Sequence, residues 1–117
     1  MVGWTLKRGC NRVRTFPRAL GAFRKVVEQR GQSLRERTFA ELKEVAKEPV
    51  ERITVEDRSA TIGILMFPMP SGALQIVIQG FLSHHFFPGK SVALDGFYKY
   101  PDETVAPMSP EDFWKFD

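Results

Sequence analysis

The sequence predicts an α+β fold: two N-terminal helices, then an antiparallel meander of four or five strands, and a short C-terminal helical turn. The sheet is expected to be either strongly twisted or closed into a small, partly closed barrel. Three observations predict this. Apolar residues recur at helical spacing up to Ala46, the period changes to two from Val50 onward, and the connections between the period-two runs are short. The chain has 117 residues, 43% of them hydrophobic and 26% charged, which suits a globular domain able to fold without disulfides or metal.

The first helix is carried by Phe16, Ala19, Leu20, Phe23, Val26 and Val27, which fall at i, i+3, i+4, i+7, i+10 and i+11 and so form one stripe. It is expected over Phe16–Gln29. Pro17 suits its first turn, where a missing N–H costs nothing, and Gly31 suits the position past its end. Met1 to Thr15 carry clustered charge and no period, and read as a flexible arm. The second helix is expected over Thr38–Lys47. Both Ser33-Leu-Arg-Glu36 and Thr38-Phe-Ala-Glu41 match the capping box; Thr38 is the favoured start because its apolar face, Phe39, Leu42, Val45 and Ala46, begins at once. Pro49 stops the run.

Five period-two segments follow. Ile53 and Val55 alternate with polar residues, and Asp57-Arg58-Ser59 turns the chain. The second strand is expected over Ala60–Phe67, ended by Pro68-Met-Pro-Ser-Gly72. The third, Ala73–Leu82, puts Leu74, Ile76 and Ile78 on one face. The fourth, Ser91–Tyr100, sets Val92, Leu94, Tyr98 and Tyr100 against Ala93, Asp95, Phe97 and Lys99. Thr104–Ala106 is a short fifth strand, and Ser109-Pro-Glu-Asp112 opens the final turn with a cap, a first-turn proline and two acids. The expected core draws on Phe39, Leu42, Ile53, Val55, Ile62, Ile64, Leu74, Ile76, Ile78, Val92, Leu94 and Trp114.

Charge divides the chain. Residues 1–37 carry ten Lys and Arg against two acids, while residues 38–117 carry seven against twelve. The expected organisation follows this division: a basic N-terminal arm and amphipathic helix over 1–37, and an α+β globular domain over 38–117. Such an asymmetry points to an acidic partner for the basic part. Lys7, Arg8, Arg12, Arg14, Arg18, Arg24 and Lys25 are the candidate polyanion-binding residues, with nucleic acid the leading partner because arginines and lysines neutralise phosphates without reading sequence. An anionic membrane surface or a partner's groove, an organellar targeting segment, and simple packing of the helix on the sheet are the competing readings. A cytoplasmic location is expected, and the longest apolar run, Ile62–Phe67, is too short to span a membrane.

Catalytic chemistry has fewer footholds. His84 and His85 are the only histidines. Adjacent side chains on an extended chain diverge, so they do not form a metal pair, and no cofactor or metal is expected. One of them, oriented by Asp95, Glu103 or Asp102, would serve as an acid–base group in a small enzyme with its cleft at the 83–90 loop. Cys10 lies among cations that favour its thiolate but has no rigid base beside it. No Gly-x-Ser-x-Gly or Gly-x-Gly occurs. Phe81, Phe86, Phe87, Phe97, Tyr98 and Tyr100 gather near two strands, as bases would need for stacking, or as a core would. Asp95-Gly-Phe-Tyr-Lys-Tyr100 echoes an RNA-recognition strand, but the acid and the element order exclude that family. A third function class, a protein–protein interaction subunit, would show an apolar surface patch near Trp4, Phe86 or Phe87.

Overall fold

The computed structural model describes residues 11–45, 47, 49–84 and 90–116. Helix α1 spans Asn11–Arg35 and a short α2 spans Phe39–Val45. Strands β1 (Glu51–Val55), β2 (Arg58–Pro68), β3 (Leu74–Ser83), β4 (Lys90–Lys99) and β5 (Val105–Pro107) follow, then α3 (Pro110–Phe113) and a 3-10 turn, Trp114–Phe116. The strands form one antiparallel sheet in the order β1-β2-β3-β4-β5. The α+β class and the meander are therefore as the sequence predicts. The sheet is open, so the barrel alternative is set aside, and the two helices are very unequal in length.

The α1 helix is longer than its apolar stripe suggests. It begins at Asn11, inside the segment expected to be a flexible arm, and it continues through Gly31 to Arg35. Pro17 consequently lies inside the helix, where it forfeits one backbone hydrogen bond, rather than in the first turn. Gly31 is present for space, not for a left-handed cap: a Cβ there would collide with the Asp95 carboxylate of β4. The stop comes instead at Thr38. Its hydroxyl accepts from the Glu41 amide at 3.1 Å and its own amide donates to Glu41 Oε1 at 2.9 Å, the reciprocal box expected for α2.

The turn between β1 and β2 is tighter than the sequence suggests. Glu56 and Asp57 both take positive φ, 49° and 67°, and Arg58 already belongs to β2. Two consecutive residues of this kind make the two-residue hairpin whose twist matches that of its strands.

One face of the sheet carries α1. Ala19, Phe23, Val27 and Leu34 share a core with Leu42, Val45, Val55, Ala60, Ile62, Leu74, Ile76, Ile78, Leu82, Ala93 and Phe97. Close approach requires a gap in the sheet, and Gly80 supplies it; a Cβ there would lie 2.6 Å from the Phe23 ring. On β4 the core face is the one not expected. Ala93 and the fully buried Phe97 point to α1, while Val92 and Leu94 are half-buried on the opposite face. Asp95 and Lys99 share that inner face because the end of α1 gives each a partner. Arg35 clasps Asp95, and Lys99 donates to the Arg35 carbonyl at 3.3 Å and lies 3.5 Å from Glu103.

The second face is only partly covered. Residues 108–116 fold across its β4–β5 side, with Met108 and Phe113 over Gly96 and the Phe116 ring 5.6 Å from Phe67. Gln79 donates to the Phe116 carbonyl at 2.7 Å, and Tyr98 donates to Asp112 at 2.8 Å. Trp114 does not join the core; it is 76% exposed, because the turn aims its neighbours inward instead.

Two outcomes follow from this packing. Gly21 has open space around it on α1, so Gly21→Ala should stabilise the protein by about 0.5–1 kcal/mol, whereas Gly31→Ala should destabilise it by about 2 kcal/mol through overpacking. Denaturant titration of the two variants checks both signs. Separately, Arg30 holds the Glu51 carboxylate below its ordinary range through hydrogen bonding and charge, and the Tyr98 hydroxyl and the Ser109 amide do the same for Asp112. Stabilisation from a depressed carboxylate is complete above its unfolded pKa, about 4, and is lost as pH falls through the folded value. Denaturation midpoints should therefore hold steady from neutrality to about pH 5 and fall below pH 4. Glu51→Gln should flatten that fall.

Candidate functional site

The part of the second sheet face that no described residue covers holds an open basin of about 440 Å³. Strand alternation builds it. Arg52 and Thr54 point here because Ile53 and Val55 point to α1, and the same rule delivers Ser59 and Thr61 from β2. Phe81 and Ser83 arrive from β3, and Lys90, opposite Ser83 in the register, closes the fourth side. Four strands thus surround one half-buried aromatic ring with two cations and four hydroxyls. Among the described residues, no carboxylate lines the basin, and neither Arg52 nor Lys90 makes an ion pair.

The sequence-predicted cations are distributed differently. Arg24 and Lys25 are exposed on α1. Arg18 is 3.3 Å from Glu56. Lys7, Arg8 and Cys10 lie outside the described residues, as do the side chains of Arg12 and Arg14, although both of these residues belong to α1. Arg30 and Arg35, counted in the same basic segment, bind α1 to the sheet. Arg30 meets Glu51 through two hydrogen bonds of 3.0 and 2.6 Å, and Arg35 meets Asp95 through two of 2.8 and 3.0 Å.

Of the candidate acid–base residues, His84 and Asp95 are not brought together. His84 follows β3 and its Nε2 lies 3.0 Å from Ser91 Oγ. Asp95 stands four residues further along β4, about 13 Å away at strand rise. Its Oδ1 and Oδ2 are both engaged by Arg35, and Oδ1 also accepts from the Gly96 amide at 2.9 Å. His85, Phe86 and Phe87 lie outside the described residues. Among the described residues, no group of three His, Cys, Asp or Glu side chains could hold a metal ion, and no helix is long and apolar enough to cross a membrane.

The aromatic residues also separate. Phe97 is in the core beneath Arg35, whose guanidinium carbon is 4.9 Å from the ring centroid. Tyr98 is tied beneath the C-terminal segment, and burial together with Asp112 raises its pKa. Among the described aromatic residues, Phe81 alone lines the basin. Arg52 and Lys90 carried no sequence signal, because their convergence depends on a register spanning four strands. Compared with protein-family models, curated proteins and solved structures, the chain matches none.

Proposed function

We propose that the protein is a small non-enzymatic binding module for an acidic partner, with single-stranded nucleic acid the leading candidate. The observation that carries this reading is the basin: two cations with no ion-pair partner among the described residues flank an aromatic ring on a sheet face that no described residue covers. Phosphates match Arg52 and Lys90, a base stacks on Phe81, and the surrounding hydroxyls accept or donate to sugar and phosphate. The basic N-terminal segment adds a second contact region through Lys7, Arg8, Arg12, Arg14, Arg18, Arg24 and Lys25, which raises affinity without reading sequence. Acid–base catalysis lacks comparable support, since Asp95 is held by Arg35 rather than by a histidine.

The test is a titration of a short fluorescent DNA or RNA single strand between about 50 and 200 mM salt. Affinity should fall steeply with salt. Arg52→Ala and Lys90→Ala should each reduce the slope of log K against log salt by about 0.7, and Phe81→Ala should weaken binding by about 1–3 kcal/mol. Binding that ignores salt, or that is unchanged in all three variants, contradicts the proposal.

A further inference from the structure

Among the described residues, strand β4 has an open edge. β5 pairs only with Phe97, Tyr98 and Lys99. Among the described residues, nothing pairs with the outer edge of β4 from Lys90 to Gly96. A groove of about 310 Å³ runs along that edge, lined by Val92, Ala93 and Leu94 and by Arg24 and Glu28 of α1. Three consecutive strand residues point to alternate faces, so they line one groove only if it follows the strand's edge.

We propose that two copies of the chain join through this edge as a two-fold dimer, β4 against β4, with the axis passing at Ala93. The inference does not rest on the proposed function, although Arg24 and Lys90 take part in both. Its basis is self-complementarity, which a two-fold interface demands. The open stretch, Lys90 to Gly96, is centred on Ala93, and so is the groove. An antiparallel pair about that centre sets Ala93 against Ala93 of the partner subunit and the half-buried Val92 against Leu94 of the partner subunit, extending one apolar face across the junction. Lys90 falls opposite a glycine, so no like charges meet on the sheet.

The helices complete the match. Phe23 and Val27 pack at the level of Gly80, which pairs with Ala93, and Arg35 reaches Asp95 and the Gly96 carbonyl. Helix α1 and strand β4 therefore run in the same direction. Arg24 and Glu28 are about 6 Å apart along the helix. Val92 and Leu94 are about 7 Å apart along the strand. The axis that relates the strands thus sets Arg24 of one copy against Glu28 of the other, twice. Helices lying over β3 and β4 in both copies come about 10 Å apart, an ordinary packing distance.

Sedimentation velocity of the full chain across a concentration series tests this. Wild type should sediment as a dimer. Arg24→Glu and Glu28→Arg each turn two attractions into two repulsions and should weaken the dimer about tenfold. The double variant Arg24→Glu/Glu28→Arg should restore it, with circular dichroism unchanged throughout. A wild type that stays monomeric at every concentration overturns the proposal and leaves the edge to a different occupant. So does a dimer that neither single variant weakens, or one that the double variant fails to rescue.

Discussion

Where α1 crosses β4, a carboxylate sits on the core face of the sheet. Asp95 pairs with Ile78 in the register and is followed at the next inward position by Phe97, which is fully buried. A charge in that place is tolerated only if paired and hydrogen-bonded. Arg35 provides both: it clasps the two carboxylate oxygens, donates to the Gly96 carbonyl and stacks above Phe97. Gly31, one turn earlier, leaves room for the carboxylate against the helix, and Lys99 reaches the Arg35 carbonyl at the helix end, where a cation also meets the negative end of the helix dipole. The length of α1, its register on the sheet and the choice of inner face for β4 all depend on this cluster.

The same cluster decides which surfaces remain for partners. With α1 held over β3 and β4, residues 108–116 cover the opposite face from β4 to Phe67 of β2, and among the described residues nothing covers the basin around Arg52, Phe81 and Lys90. Basic residues sort themselves accordingly. Arg30 and Arg35 are structural, spending their charge on Glu51 and Asp95. Arg24 and Lys25 on α1, and Arg52 and Lys90 on the sheet, face outward. A chain with a modest net positive charge thereby presents two separate cationic regions.

Much of the architecture was legible in the residues because it is written in local periods. The helical stripe, the switch to period two at Val50, the Thr38 box and the Pro110 turn are each specified within a few positions. What escaped was specified at a distance. Gly31 has the local appearance of a helix end, and only the Asp95 carboxylate explains it as an interior residue. On β4 both alternating sets contain aromatics. The set with Val92 and Leu94 has the more apolar look, and the charged set is buried because Arg35 and Lys99 find partners sixty or more residues away in sequence. The basin was only partly visible. Phe81 stood out as an aromatic, but Arg52 and Lys90 meet it only through three successive strand pairings.

If Arg35 and Asp95 fix α1 on the sheet, their energies must be coupled. A double-mutant cycle with Arg35→Met, Asp95→Asn and the combined variant, read by chemical denaturation of the full chain, measures that coupling directly. A partly buried pair with two hydrogen bonds should give a coupling of about 2 kcal/mol, each single variant costing more than half of the pair's combined loss. Additive effects, within about 0.5 kcal/mol, would show that α1 is held to the sheet by its apolar stripe alone and would contradict the role assigned to this contact.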